Sequence, residues 1–306
     1  MSAPLELPES RFVDLDGPVH YREWDGPSGL TFVCVHGLGG SLLNWVSVAP
    51  GLRERGRVIA LDLAGFGKTP REGRSSAVRA NRLLLSRFVR EVVDGPVILA
   101  GNSMGGAIVM LQAVLEPESV DGLVLTSPAL PFARGARPDP LVAVAFAAYQ
   151  VPGVGERFMR ERGRRLGPER VVRDTLKMCT VDPSRVDPAL VDVMIEAAVE
   201  RQDVEDAIPA FLEAARSLLR LSRRTKFGHD VIDRIECPVL LIHGRHDRLV
   251  RVQSAIAAAE RQPHWRLVIL EDAGHVAQLE DPRRWVSEVE GWLDTDPSLA
   301  TLTTAS

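Results

Sequence analysis

Residues 96–115 read PVILAGNSMGGAIVMLQAVL, and within them a short apolar run gives way, across Gly101-Asn102-Ser103-Met104-Gly105, to a longer apolar stretch. The first run has the length of a strand and the second that of a buried helix. A sharp strand-to-helix turn lifts the serine hydroxyl clear of the backbone, and glycines two residues on either side let neighbouring segments approach without a Cβ clash. The turn also sets Ser103 at a helix N-terminus. There the Met104 N–H lacks an intrahelical acceptor and can meet a developing negative charge.

Outward from this turn, short apolar runs at 31–35, 58–61, 97–100, 123–126, 239–242 and 267–270 alternate with helical patterns. That alternation predicts an α/β fold, a mainly parallel sheet with helices on both faces and central strands buried on both sides. Val19 to Trp24 alternates weakly and reads as an early antiparallel strand. Working residues in such a sheet collect where strands end, at the carboxyl edge. HGLGG (36–40), DLAGFG (62–67), GNSMGG (101–106), GRHD (244–247) and AGH (273–275) each follow a run and therefore converge on that edge.

A serine hydroxyl needs a base to take its proton, and the base needs a third group that fixes its tautomer. Asp247 and His275 both end apolar runs, and the order Ser103, Asp247, His275 suits a nucleophile, an orienting acid and a general base. His20, His229 and His264 lack a strand-end position, and His243 and His246 sit beside Asp247 as shapers of its loop. Glu271 and Asp272 are too close to His275 in sequence, Asp121 precedes its strand, and Asp62 reads as a turn-stabilising carboxylate. His36 reads as a structural hydrogen-bonder, while the glycine loop after it brings Leu38 N–H, or failing that Gly37 N–H, beside Met104 N–H as a second oxyanion donor.

Between 132 and 229 the strand rhythm stops and helical patterns broken by Pro and Gly take over, which predicts a helical cap inserted into a core of 1–131 and 230–294. Ile208, Phe211, Leu212, Ala215, Leu218 and Leu219 repeat at three and four and form one apolar face for packing on the sheet. Phe146 and Tyr149 are candidate substrate contacts, with Gly37, Asn102 and Val276 from the loops, and the apolar cap points to a hydrophobic small-molecule substrate. The arginines from Arg157 to Arg173 read as a solvated face with a second use in attracting acidic groups or a membrane surface. Residues 295–306 read as a disordered tail.

Net charge −4, with 45% apolar and 25% charged residues, describes an ordinary soluble chain with no overall attraction to nucleic acid. Cys34, Cys179 and Cys237 are an odd number set among apolar neighbours, so neither a disulfide framework nor a metal site is expected. No run reaches the ~20 apolar residues of a membrane span, and the start MSAPLELPES lacks a secretory pattern. A cytoplasmic location follows as the expectation.

From HGLGG through GNSMGG to AGH the chain resembles the α/β-hydrolase superfamily. The resemblance implies an eight-stranded sheet, a cap after the sixth strand, no cofactor, and hydrolysis through an acyl-enzyme intermediate. A carboxylesterase is the leading reading. Gly101 to Gly106 and Gly274 to Glu280 are also similar to the carbon–carbon bond hydrolases of ring-fission products, although those carry an aromatic residue where Val276 stands. Haloalkane dehalogenases and epoxide hydrolases place a carboxylate where this chain has Ser103. A hydrolase-like receptor with slow turnover is the alternative from another class.

Overall fold

Successive side chains of the central strands point to opposite faces, and here both faces are covered. Phe32 and Cys34, Val58 and Ala60, Ile98 and Ala100, and Leu240 and Ile242 enter one apolar layer. Val33 and Val35, Ile59 and Leu61, Val97 and Leu99, and Val239 and Leu241 enter the other. A strand buried on both faces has no position left for a polar residue, which is why these runs read as continuous rather than alternating.

The computed structural model describes residues 5, 7–27, 29–131, 133, 139–222 and 230–303. Eight strands, β1 (Arg11–Asp14), β2 (Pro18–Trp24), β3 (Leu30–Val35), β4 (Gly56–Leu61), β5 (Val97–Asn102), β6 (Val120–Thr126), β7 (Val239–Gly244) and β8 (Arg266–Leu270), form one sheet. Their order is β1-β2-β4-β3-β5-β6-β7-β8. β2 runs antiparallel to β1 and β4, and the remaining pairs are parallel. β1 was not expected from its sequence. The run at 267–270 departs from expectation in burial, because β8 is an edge strand and most of its residues are only partly covered.

Helix α1 (Ala49–Leu52) is short, whereas α2 (Val78–Val92) is amphipathic and packs Leu84, Leu85, Phe88 and Val89 on the sheet. Helix α3 (Met104–Leu115) is apolar all round because it is buried on nearly every side. Between β6 and β7 come α4 (Pro140–Gln150), α5 (Val154–Cys179), α6 (Pro188–Glu200) and α7 (Ala207–Ser222). Helix α5 breaks at Gly167, which has φ +71°, immediately before Pro168. Ala214 and Leu218 of α7 join the main core, and Leu212 and Ala215 pack with Tyr149 of α4. The expected insertion limits, 132 and 229, and His229 lie outside the described residues. Among those described, no helix is long and apolar enough to cross a membrane.

The end of the chain differs from the tail expected at 295–306. Pro297–Thr303 is helical, with Asp296 Oδ1 accepting from the Ser298 N–H at 3.0 Å, and Leu299 is only 1% exposed in the layer beneath Trp292. A carboxylate cap followed by proline starts the helix, and one leucine anchors it. Residues 304–306 lie outside the described set. Leu299→Ala should therefore lower unfolding free energy by about 2–5 kcal/mol in urea titration, whereas an unanchored tail would leave it unchanged.

Candidate active site

Ser103 carries the strain of the strand-to-helix turn. Its φ of +54° and ψ of −115° are unusual for a residue with a side chain and cost roughly 1–3 kcal/mol. The surroundings hold it there: Ser103 N–H donates to Thr126 O at 3.1 Å, and Ser103 O accepts from Ala129 N–H at 2.8 Å and Ala107 N–H at 3.3 Å. The flanking glycines are sterically required. A Cβ at Gly105 would lie 2.1 Å from Val35 O, and one at Gly101 would lie 2.7 Å from Gly105 O.

His275 and Asp247 meet across 28 residues of chain, with His275 Nδ1 and Asp247 Oδ2 2.7 Å apart and both residues buried. Asp247 Oδ1 also accepts from the N–H groups of Leu249 at 2.8 Å and Val250 at 2.9 Å. Burial pushes its carboxyl up, but the electrostatic pull of the His275 ring and hydrogen bonding to His243 and His275 outweigh this and hold it well below the usual carboxylate range. An ionised carboxylate only accepts, so Nδ1 of His275 carries the proton and Nε2 keeps its lone pair. Asp247 lies 1% exposed behind the histidine, whereas Ser103 and His275, at 8% and 4%, border one cavity of about 1500 Å³.

The glycine loop passes close to Ser103. A Cβ at Gly37 would sit 3.1 Å from Ser103 Cβ, and Gly40 N–H closes the turn on Gly37 O at 3.1 Å. His36 shapes this loop as expected: Leu63 N–H donates to its Nε2 at 3.1 Å, so Nδ1 holds the proton and donates to Gly37 O at 2.8 Å. Burial lowers its basicity and keeps it neutral. Leu38 borders the cavity beside Gly37, and Met104 begins α3 beneath Ser103.

Phe146, Tyr149 and Val276 also border the cavity, with Tyr149 stacked edge-on against Phe146 and Phe211 at centroid distances of 5.6 and 5.3 Å. Asn102 borders it too, but its amide is committed to two carbonyls, Thr126 O at 3.0 Å and His275 O at 3.1 Å. Asn102 thus ties the serine turn to the histidine loop. Asp62 is the turn carboxylate expected, accepting from Leu42 N–H at 2.7 Å and Lys68 N–H at 2.8 Å, and it also faces His20 Nδ1 at 2.7 Å.

Three residues brace the site: Glu280 and Arg201, with no role assigned from sequence, and His243, expected only to shape the loop of Asp247. Glu280 is buried, and its carboxylate accepts from Gly274 N–H at 2.8 Å in the histidine loop and from Val181 and Asp182 N–H at 2.8 and 2.9 Å beyond α5. His243 Nε2 donates to Val250 O at 2.8 Å and lies 3.3 Å from Asp247 Oδ2, making it a second histidine on the acid. Arg201, after α6, donates to Gly65 O and Gly67 O, both at 2.8 Å. A carboxylate five residues after a glycine-histidine pair and a histidine four before an acid are visible in sequence; what they brace is not. Among the described residues no cluster of three or more metal-ligating side chains occurs.

Residues 31–282 match the model of the alpha/beta hydrolase fold family. The chain is similar to 2-hydroxy-6-oxo-6-(2'-aminophenyl)hexa-2,4-dienoic acid hydrolase of Metapseudomonas resinovorans, 27% identical over 92% of this chain and 90% of the relative. It is similar to an esterase of Mycobacterium tuberculosis, 26% identical over 94% and 90%. Among solved structures, a meta-cleavage product hydrolase of Pseudomonas fluorescens superposes with TM-score 0.74 at 21% identity, over 94% of this chain and 98% of the other.

A carboxyl held below its ordinary value contributes stability that is fully present above the unfolded value, near 4, and is lost as pH falls through the folded value. The urea midpoint of the wild-type chain should fall between pH 6 and pH 3. Asp247→Asn removes that contribution and should flatten the fall; equal slopes in the two proteins would show that Asp247 is not held ionised.

Proposed function

The chain belongs to the α/β-hydrolase fold family, and on that premise we propose that it is a serine hydrolase cleaving carboxylic esters of hydrophobic small molecules through an acyl-enzyme. The observation that carries this reading is the buried 2.7 Å His275–Asp247 pair, whose histidine borders the same cavity as the strained Ser103. Ser103 Oγ attacks the ester carbonyl while His275 Nε2 takes its proton, and Asp247 stabilises the imidazolium. The N–H groups of Leu38 and Met104 receive the negative charge of the tetrahedral intermediate. The imidazolium then protonates the departing alcohol, and water, activated by the same histidine, releases the acid.

The cavity supports a hydrophobic substrate, since the helices between β6 and β7, read as a cap, line it with Phe146, Tyr149, Phe158, Met178 and Met194. Its volume exceeds the roughly 300–1000 Å³ of usual small-molecule pockets and so admits a sizeable acyl or aryl group. The second reading is hydrolysis of a carbon–carbon bond in a ring-fission product, supported by the dienoic acid hydrolase among the relatives. Free, buried Cys34 and Cys179 fit a reducing, cytoplasmic setting.

Intact mass after fluorophosphonate treatment, followed by turnover of p-nitrophenyl esters against a dienone, tests both readings. One adduct, lost in Ser103→Ala, with fast ester turnover is the expected result. Dominant dienone turnover moves the chain to carbon–carbon hydrolysis, and no adduct rejects the serine mechanism. Asp247→Asn should lower kcat roughly 10⁴-fold, because it holds the histidine in the wrong tautomer.

A further inference from the structure

Helix α4 is apolar on both sides, yet only one side is covered. Its inner side chains, Val142, Phe146 and Tyr149, border the cavity. On its outer side Leu141 and Val144 are 71% and 70% exposed, and Val151 and Val154, each 49% exposed, continue the strip across the turn into α5. Positions 141, 144, 148 and 151 return to one side of a helix, so the strip is continuous rather than scattered. Single exposed apolar residues are ordinary on a protein surface; an aligned strip marks a contact.

Helix α5 adds charge beside it. Residues 154–179 hold eight basic and four acidic side chains, a surplus of four positive charges in a chain of net charge −4. At about 100° per residue, Arg165 falls within roughly 20° of Val154 around the axis of α5, and Arg164 falls roughly 80° to the other side of it. Both arginines share Glu161, but their side chains remain 72% and 77% exposed. Exposed pairs of this kind are weak, so the guanidinium groups keep N–H donors to offer to phosphate.

We propose that the outer face of α4 and the first half of α5 docks on an anionic lipid surface. An apolar strip beside outward arginines is the pattern of an interfacial helix, whose side chains enter the acyl boundary while its cations meet headgroup phosphates. A second copy fits less well, because a twofold contact sets the same patch on both partners and would face positive surplus against positive surplus. Docked in this way, α4, whose inner side borders the cavity, faces the lipid with its outer side, which places a hydrophobic substrate beside its own reservoir.

The test is cosedimentation of the full chain with phosphatidylcholine vesicles, with and without phosphatidylglycerol, at low and high salt. Binding should require phosphatidylglycerol and weaken with salt. Leu141→Asp with Val144→Asp should weaken binding about tenfold or more, and Arg164→Gln with Arg165→Gln should weaken it about tenfold by removing two headgroup contacts. Neither pair borders the cavity, so hydrolysis of a soluble short-chain ester should be unchanged. The vesicle result does not depend on turnover, so it stands or falls apart from the ester reading. Equal binding to neutral vesicles, or wild-type binding by both variants, overturns the proposal, as does a dimer in light scattering that the aspartate pair dissolves.

Discussion

A single strained residue organises the carboxyl edge of this sheet. Ser103 occupies a left-handed backbone conformation that its side chain disfavours, and the neighbouring segments can hold it only by coming close. Gly101 and Gly105 permit that approach, since a Cβ at either would collide with backbone oxygen. Thr126 O and the N–H groups of Ala107 and Ala129 then fix the turn from both sides. Strain at Ser103 therefore depends on β6 and α3 being in register, which depends in turn on the two-faced core.

The helices over that edge are joined to the site by backbone hydrogen bonds more than by apolar packing alone. His275 N–H donates to Cys179 O at 2.6 Å, at the end of α5. Glu280 joins the same histidine loop to Val181 and Asp182, and Arg201 joins the end of α6 to the loop carrying Gly65 and Gly67. Because the Glu280 and Arg201 bonds are charge-assisted and come from buried or half-buried groups, moving the helical layer also moves groups beside the histidine. The layer that shapes the cavity and the histidine that faces it are one mechanical unit.

Much of this was legible in the chain. Strand runs, the turn at Ser103 and the strand-end placement of Asp247 and His275 follow from local rules, because a strand buried on both faces must be continuously apolar and a tight turn must carry glycine. Burial of β8 was overestimated because an apolar run does not say whether another strand lies beyond it. The tail helix was missed because Leu299, the buried residue among its described side chains, is a single position without a period.

Sequence by itself thus determined the class of fold, the mainly parallel character of its sheet and the strand-end positions of the three side chains, since each depends on local composition and on chain topology. Tertiary structure alone decided what braces them. Asn102, Glu280 and Arg201 reach partners 98 to 173 positions away and His243 acts around a folded loop, and no periodicity encodes such pairings. The same holds for the two sides of α4, which are equally apolar in sequence: only packing determines that one lines a cavity and the other meets solvent.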